Sequence, residues 1–508
     1  MKKRMICVLL TLCMLFTLSA VALAADADAE SAAQSLYELG LFKGVGTGED
    51  GTPNFDLDRT PTRAEAVTML VRLLGKEAEA QAGSWTTPFT DVPDWAAPYV
   101  GYAYENALTN GTGATTFSSN NLVSATQYLT FVLRALGYSS DGDFKWDAAW
   151  ELTDELGMTG GEYGADSNEI TRGGMVVVSA DAMSANLKDS DKALIEKLVD
   201  DGAVNAETAV EQGYLLPESG IRIVEGEDGL VIAVGNQDAL IQALNQTEKV
   251  AEINIKKSFA IDKDCGVNYE DGRINNYYDT VVTIEKGVTL TIAEGGQTGN
   301  YWYTYEGDWE TPPLPNAKFI NNGRLIVEKD GWVNGSFAVN NGEIIVRDGG
   351  QCQTMPDVNN GTVTVESGGS YRTTQNAQAY NYGTITIAEG ANMVTRFGGA
   401  VFNRGTIVVD GLLSVGCITF TEEVETEDEN GEPVTVTETH AGMWFENGAD
   451  ATVSGTGTVR LYDVFEGGDG PIIASDMDGM VTHMKAMLGN MNNDETQLKV
   501  IVGEGTGV

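Results

Sequence analysis

The chain has 508 residues and a formal net charge of −43 at pH 7, with 74 acidic side chains against 31 Lys and Arg. So much negative charge argues against binding to nucleic acid, anionic lipid or other polyanions. It suits an extracellular surface that collects divalent cations diffusely, with no dedicated cofactor. Of the five cysteines, only Cys265, Cys352 and Cys417 lie beyond the apolar start of the chain, and three scattered thiols are too few for a disulfide scaffold, so the fold must rest on its hydrophobic cores.

The first 24 residues are typical of a signal peptide. Lys2, Lys3 and Arg4 form a basic start, Met5 to Val21 is almost entirely apolar, and Ala22-Leu23-Ala24 offers a small-residue cleavage site. We expect cleavage after Ala24 and secretion of the remainder. No later stretch is long and apolar enough to cross a bilayer, so we expect no membrane attachment after signal removal.

Residues 28–190 contain three approximate helical repeats. In the first, Thr62-Arg63-Ala64-Glu65 precedes an apolar helix, and Thr62 with Glu65 forms a capping box. The second repeat opens with Phe89-Thr90-Asp91-Val92-Pro93-Asp94-Trp95, and the third carries Thr171-Arg172 before Met175 to Met183. Gly-rich turns separate the helical segments. The pattern predicts a helical domain of repeated units.

These motifs, in this order and at a spacing of about 50 residues, resemble S-layer homology repeats. The resemblance implies an all-α module of three repeats that binds a secondary cell-wall polysaccharide, often through a pyruvylated sugar. In that family the Arg of the Thr-Arg-Ala-Glu motif and aromatic residues line the grooves between repeats. Carried over by position, the implied polysaccharide-binding residues are Thr62, Arg63, Glu65, Trp95, Thr171 and Arg172.

Two departures from the family pattern limit the number of complete grooves. Ser124-Ala125-Thr126-Gln127 stands in the second repeat where Thr-Arg-Ala-Glu is expected, and Gly174 replaces the Glu of the third. A forked arginine suits a sugar carboxylate, and an aromatic face suits the CH surface of a sugar. The alternatives are that Arg63 caps neighbouring groups and that Trp95 belongs to the core.

Residues 191–220 are acidic and only weakly helical, which predicts a linker ending near Pro217-Glu218-Ser219-Gly220. A strand hairpin follows, formed by residues 221–224 and 230–234. Residues 236–246 then form an amphipathic helix that can cover the first coil of a repeated β-structure. This order is similar to the entry into pectate-lyase-like β-helix domains.

A short motif occurs five times between Phe319 and Val409. It consists of an apolar or aromatic residue, Asn, any residue, Gly, and a four-residue β-prone run. The glycines are 19, 19, 22 and 22 residues apart. The pattern predicts a parallel β-solenoid over residues 221–470, with an antiparallel sandwich as the alternative. The repeated asparagines should stack at one corner as a structural ladder, beside an inner apolar file of Ile320, Val339, Val358, Tyr380 and Phe402; the ladder residues are Asn321, Asn340, Asn359, Asn381 and Asn403.

Two insertions interrupt the pattern. Tyr301 to Pro315 is rich in Trp, Tyr and Pro, and is expected to be an irregular loop that packs over a coil or stacks on sugars. Residues 417–436 contain seven acids between Glu422 and Glu432, around an Asn430-Gly431 turn, and predict a protruding hairpin. Residues 471–508 are predicted to form a C-terminal cap that includes a helix over Met477 to Met487 and a final strand.

The sequence offers little for catalysis. His440 and His483 are its two histidines and both lie outside the repeat, so a His-based mechanism or a zinc site is not expected. Asp330, Asp348 and Asp410 lie at turns beside glycine, where Asp is ordinary turn chemistry. We therefore predict a secreted cell-wall or S-layer protein whose solenoid is a spacer, or an adhesin for a host or carbohydrate ligand. A wall-tethered lyase or glycosidase is the alternative.

Overall fold

The computed structural model describes residues 28–48, 51–167, 169–190, 192–263, 265, 280–298, 318–334, 337–373, 378–395, 399–427, 433–443, 445–463 and 498–503. The chain divides into two compact units, Met1–Leu215 and Leu216–Val508. The predicted signal peptide, the aromatic insertion Tyr301 to Pro315 and the Met-rich segment Met477 to Met487 lie outside the described residues. Within the described residues, no helix has the length and apolar character needed to span a bilayer.

The first unit is built mainly of helices. They are α1 (residues 28–38), α2 (Arg63–Leu73), α3 (Glu77–Ala82), α4 (Ala97–Glu105), α5 (Ala125–Ala135), α6 (Ala149–Glu155, preceded by a 3-10 turn Trp146–Ala148), α7 (Arg172–Ser184), α8 (Leu194–Asp200) and α9 (Ala206–Glu211). A two-residue antiparallel pair, β1 (Gly46–Thr47) with β2 (Pro53–Asn54), is a small exception to the predicted all-α character.

Helices α2, α5 and α7 supply the centre of the first hydrophobic core. Each buries its apolar side chains, among them Leu70, Leu129, Leu133 and Met175. Helices α8 and α9 add Leu194, Ile195, Leu198 and Ala209 to the same core. The linker predicted over residues 191–220 is therefore largely part of this unit, because its apolar residues recur at helical spacing and are buried.

The second unit is a parallel β-solenoid with three sheets. Sheet A contains β3 (Ile221–Glu225), β4 (Leu230–Val234), β5 (Val250–Ile255), β7 (Val281–Ile284), β10 (Lys318–Asn321), β13 (Phe337–Asn340), β16 (Val358–Asn359), β19 (Gln378–Asn381), β22 (Ala400–Asn403) and β26 (Phe445–Asn447). Sheet B contains β6 (Phe259–Ile261), β8 (Thr289–Ile292), β11 (Arg324–Val327), β14 (Glu343–Val346), β17 (Thr362–Val365), β20 (Thr384–Ile387), β23 (Thr406–Val409) and β27 (Thr452–Ser454).

Sheet C contains β9 (Gln297–Thr298), β12 (Trp332–Val333), β15 (Gln351–Cys352), β18 (Ser370–Arg372), β21 (Asn392–Val394), β24 (Leu412–Glu427), β25 (Pro433–Met443), β28 (Thr458–Asp463) and β29 (Lys499–Gly503). Neighbouring coils pair in parallel and in register, so the antiparallel sandwich is excluded. Two antiparallel pairs exist in the described part of the unit: β3 with β4 at its start, and the hairpin of β24 with β25. Helix α10 (Gln237–Ala243) follows β4.

Residues beyond the predicted end of the solenoid still belong to it. Strand β29 lies in the region predicted as a separate cap, residues 471–508, yet it pairs in parallel with β28 in sheet C. The predicted boundary at residue 470 is therefore too early. The Leu498 to Val502 strand was expected from its apolar residues, but its place in the sheet could not be read from them.

The inner apolar file predicted from the repeat is wrong. Ile320, Val339, Val358, Tyr380 and Phe402 are all half-exposed, whereas the asparagine that follows each of them is buried. Successive side chains of a strand point to opposite faces, so an inward asparagine forces its predecessor outward. The aromatic members of this outer file stack on one another, with the Tyr380 and Phe402 rings 4.9 Å apart.

The repeated glycines are required by close approach between coils. Their φ values are not in the left-handed region, but a Cβ on Gly342 or Gly361 would collide with the carbonyl oxygen of the glycine one coil earlier. The next corner is different, because Asp330, Gly349 and Gly368 there all have positive φ values. The first corner therefore excludes a side chain sterically, whereas the second favours glycine conformationally.

One corner accounts for the irregular spacing of the repeat. Eleven residues separate each ladder asparagine up to Asn381 from the first residue of the following sheet C strand, as from Asn340 to Gln351 and from Asn381 to Asn392, whereas nine separate Asn403 from Leu412. The return from sheet C to the next asparagine takes 8 residues from Gln351 to Asn359 and 11 from Asn392 to Asn403. From Asn321 to Asn403, length variation between coils is thus confined to the corner that joins sheet C to sheet A.

Candidate functional site

The first turn of α2 is held by a complete capping box. Thr62 accepts a hydrogen bond from the Glu65 backbone N–H (3.4 Å), and the Glu65 carboxylate accepts one from the Thr62 N–H (2.7 Å). Arg59 also binds this carboxylate through two nitrogens, at 2.9 and 3.1 Å. Burial alone would raise the pKa of Glu65, but these hydrogen bonds hold it below its usual value. Thr62 and Glu65 are therefore engaged within the helix start.

Arg63 lies beside them in a different setting. Its side chain is 6% exposed, with the guanidinium 4.9 Å from the ring centroids of both Phe117 and Phe131. Its Nη2 donates to the carbonyl oxygen of Asn110 (2.8 Å), and its Nε has no hydrogen-bond partner among the described residues. Burial, with Arg134 nearby, lowers the pKa of Arg63 to about 10. A buried cation with an unused donor is costly unless an anion joins it.

Arg172 begins α7 in the same way that Arg63 begins α2. Thr171 caps the helix by accepting from the Gly174 N–H (3.1 Å), without the reciprocal glutamate. The Arg172 guanidinium lies 4.6 Å from the Phe42 ring centroid, and its nitrogens donate to the Phe55 and Lys43 carbonyls (2.7 Å each) and to the Met69 sulfur (3.1 Å). These protein acceptors occupy donors that in Arg63 remain partly unused.

The backbone at both helix starts joins one repeat to the next. The Arg63 N–H donates to the Asn121 carbonyl and the Ala64 N–H to that of Ser119, so α2 rests on the turn of the second repeat. In the same way, the N–H groups of Arg172 and Gly173 donate to the carbonyls of Arg59 and Leu57 in the first repeat. Helix N–H groups that lack a partner in their own helix are thereby satisfied across the repeat boundaries.

The second repeat keeps the cap but lacks the guanidinium. Ser124 accepts from the Gln127 N–H (3.2 Å), and Ala125, at the place of the arginine, is fully buried. The Oε1 of Gln127 is buried without a partner among the described residues.

Trp95 is 53% exposed, so the alternative that it belongs to the core is wrong. In the described part of the chain, no hydrogen bond or ring contact joins it to Arg63 or Arg172. The structure thus brings Thr62, Arg63 and Glu65 together at one helix start and Thr171 and Arg172 at another. Sequence reasoning missed Asn110 and Arg134 beside Arg63. Arg134 could have been noticed because it and Arg72 occupy the same place in successive repeats.

In the solenoid, the five predicted asparagines lie in one buried column. Each donates its Nδ2 to the Oδ1 of the next, from Asn321 through Asn340, Asn359 and Asn381 to Asn403, over 2.7 to 2.8 Å. Asn403 continues the column to Asn447 at 2.7 Å, a member that the sequence pattern missed because its glycine follows directly and an insertion precedes it. At the other end, Asn321 pairs in register with Ile284, and its buried Oδ1 has no partner within the described chain.

The described residues give little indication of catalysis. Asp330 occupies a left-handed turn, and Asp410 accepts hydrogen bonds from the backbone N–H and hydroxyl of Thr456. No cluster of three or more His, Cys, Asp or Glu side chains suited to a metal occurs in the part of the chain that the structure describes. Cys352 is buried, donates to the Thr354 carbonyl (3.2 Å), and its pKa is raised by burial to about 12.

Comparison with known families identifies one repeat of the helical unit. Residues 88–124, which cover the start of the second repeat through the turn that supports α2, match the model of the S-layer homology domain. The chain carries an S-layer homology domain. The predicted resemblance is thereby confirmed, and so is the predicted architecture, in which this domain precedes a β-solenoid.

Relatives of this chain include proteins named for the cell surface and the cell wall, and one named as an endoglucanase. A cell surface protein of Thermoanaerobacter kivui is 33% identical over 224 residues, which is 41% of this chain and 28% of the relative. A middle cell wall protein of Brevibacillus brevis is 32% identical over 169 residues, 32% of this chain and 15% of the relative. An endoglucanase of Bacillus sp. is 33% identical over 133 residues, 23% of this chain and 14% of the enzyme.

The chain therefore spans about a quarter or less of the length of these relatives. Together with the family match, they confirm the predicted localisation, a secreted protein of the cell wall and surface layer.

Proposed function

We propose that this protein is held non-covalently on the cell wall by its S-layer homology module and presents the solenoid as a spacer or adhesive surface. The wall ligand is a secondary cell-wall polysaccharide that carries an acidic group. The observation that carries the proposal is the state of Arg63: a guanidinium buried against two aromatic rings, with an unused donor and no carboxylate within ion-pair distance among the described residues. A carboxylate on a sugar would complete it.

The remaining predicted binding residues have graded roles in this proposal. Thr62, Glu65 and Thr171 fix the helix starts that aim the two arginines. Arg172 is the weaker ligand, because protein acceptors already take its Nε, Nη1 and Nη2. Trp95 is exposed and free to stack on a sugar ring.

The spacer role of the solenoid rests on its regular interior. Coils pair in register, and the asparagine column runs through six of them, from Asn321 to Asn447. Surface ion pairs also join adjacent coils, as between Arg324 and Glu343 (2.5 Å) and between Arg347 and Glu328 (2.6 Å). Each coil is therefore tied to its neighbours, which suits a stiff element.

A wall-tethered polysaccharide-degrading enzyme is the second candidate. It is favoured by the similarity to an endoglucanase, whose name gives an activity on polysaccharide, and by the many acids of this chain. Incubating the secreted chain with a panel of polysaccharides and assaying for new reducing ends or unsaturated products decides between the two. Release of products that is lost on changing one pair of acids would favour the enzyme over the spacer.

The anchoring proposal is tested by co-sedimentation of the secreted chain with purified cell wall. Arg63→Gln should weaken binding about tenfold or more, because a charge-assisted hydrogen bond contributes about 1.5–3 kcal/mol. Arg172→Gln should weaken it less. Lys197→Gln on α8, which removes a cation paired with Asp201, is the charge-matched control and should leave binding unchanged. Undiminished binding by Arg63→Gln with a normal melting temperature would contradict the proposal.

A further inference from the structure

Two guanidinium groups from different repeats converge on Asn110. Arg63, at the start of α2, donates from Nη2 to the Asn110 carbonyl oxygen (2.8 Å). Arg134, near the end of α5, lies 3.3 Å through its Nη2 from the Asn110 side-chain oxygen, in the amide orientation that satisfies both ends of that side chain. Its Nη2 also donates to the Ser140 hydroxyl (2.8 Å). Asn110 thus holds the two arginines close to each other through uncharged groups.

Neither arginine of this pair forms an ion pair in the described part of the chain, although Asp141 attracts Arg134 at longer range. Neither Arg63 nor Arg134 has a carboxylate within ion-pair distance there, although Arg63 is buried and Arg134 half-buried. Burial, with the neighbouring cation, lowers the pKa of Arg63 to about 10, and burial lowers the pKa of Arg134 although Asp141 opposes that shift. Two like charges withdrawn from water are unfavourable, and a bound anion would offset this cost.

The repeats themselves provide an internal comparison. Arg72 and Arg134 each lie nine residues after the first residue of their helix, and Asp181 is the residue at that place in α7. Arg72 pairs with Glu77 at 3.0 Å, so its charge is already balanced. Arg134 is attracted electrostatically by Asp141 but forms no ion pair with a described carboxylate, so it is the arginine of this set whose charge is the less balanced. At the boundary of α5 with α7, the corresponding residues are Ala125 and Asp181, which offer no cation.

We propose that Arg134 is a second anion-binding residue and that, with Arg63, it forms a two-fork site for the carboxylate of a wall sugar between the first and second repeats. This inference rests on the proposed wall-anchoring function. Two guanidinium groups can bind one carboxylate with more directed hydrogen bonds than either can alone. Phe117 and Phe131 beneath Arg63 exclude water from one side, which strengthens the interaction. The site is specific to this boundary, so the module has one dominant anion site.

The test measures the affinity of the full secreted chain for polysaccharide released from purified cell wall, by titration calorimetry. Arg134→Gln should raise Kd about tenfold to a hundredfold, the range of one charge-assisted hydrogen bond. Arg134→Lys, which keeps the charge but loses the fork, should fall between Arg134→Gln and the unchanged chain. Lys197→Gln is the control for removal of one positive charge.

A second probe is the same polysaccharide after its carboxylates have been converted to amides with a carbodiimide and an amine. The unchanged chain and Arg134→Gln should bind this neutral polymer equally weakly. The melting temperature supplies the readout that a structural role would change: removing one of two neighbouring cations should leave it unchanged or raise it. A lowered melting temperature that accompanies the loss of affinity would instead assign Arg134 a structural role and overturn the inference.

The two proposals fail in different ways. If Arg63→Gln weakens binding and Arg134→Gln does not, the two-fork site is refuted and wall anchoring stands. If the unchanged chain does not bind the polysaccharide at all, the anchoring function fails first. If the amidated polymer binds as tightly as the acidic one, the wall ligand is recognised without its charge and the anion site is refuted.

Discussion

Replacing one asparagine in the middle of the column should destabilise the solenoid far more than replacing the asparagine at its end. Asn359 is 3% exposed, accepts from Asn340 and donates to Asn381, both at 2.7 Å. Asn359→Leu keeps the branched shape but removes both bonds, at about 1 kcal/mol each, and leaves the buried Asn381 oxygen without its donor, at about 1–3 kcal/mol. The expected local cost is about 3–5 kcal/mol.

Asn321→Leu is the matched control. It removes one ladder bond, at about 1 kcal/mol, and it leaves the Asn340 oxygen without its donor, at about 1–3 kcal/mol. It also removes the buried Asn321 oxygen, which has no partner among the described residues, so the two desolvation terms largely cancel. The difference between the two variants should therefore be about 2–4 kcal/mol.

Hydrogen exchange with mass spectrometry measures this difference locally, which matters because a repeated structure need not unfold in one step. Peptides that cover β13, β16 and β19 should lose about 30-fold to 1000-fold in protection in Asn359→Leu relative to Asn321→Leu, the equivalent of about 2–4 kcal/mol. Equal losses in the two variants would refute the reasoning, since the column would then contribute nothing beyond its apolar surroundings.

Three further predictions concern other residues. Gly361→Ala should cost about 3 kcal/mol or more in urea denaturation of the solenoid, because its Cβ would collide with the Gly342 carbonyl; a stability close to that of the unchanged chain would refute the close approach. Although burial opposes it, hydrogen bonds from Lys43, Tyr99 and Arg72 lower the pKa of Glu77 to about 2, so its contribution to stability is present above about pH 4.5 and lost as pH falls towards 2. In Glu77→Gln, the melting temperature of the helical unit should therefore fall less steeply between pH 4.5 and pH 2 than in the unchanged chain. An equally steep fall in both would contradict this. Cys352 should resist iodoacetamide in the native chain and react after denaturation, as read by peptide mass spectrometry; rapid native alkylation would contradict its burial.

The sequence was informative where local patterns determine structure. The capping residues Thr62 and Glu65 indicated the start of α2, and the recurring Asn-x-Gly motif indicated stacked coils. The sequence was misleading about which of two successive strand residues points into the solenoid. The apolar side chains before each asparagine look like core, yet the strand alternation places them outside once the asparagine turns in.

Long-range neighbours were the other limit. Arg134 is 71 positions from Arg63 along the chain, and nothing in either segment alone indicates that both approach Asn110. Asn447 joins the column after an interval that no fixed period predicts. Residues 191–220 have the acidic, weakly helical character of a linker, although a few buried apolar side chains place most of them in the helical unit.

The corner between sheets C and A offers a practical consequence. Strands β24 and β25 add a whole hairpin there, and the asparagine column still closes from Asn403 to Asn447. The coil therefore tolerates an insertion of this length at this corner, provided that the chain re-enters sheet A at the same position. A foreign loop or epitope inserted after Arg372 should accordingly leave the register of the coils unchanged. This corner is therefore a suitable place to display inserted sequences along one edge of the solenoid.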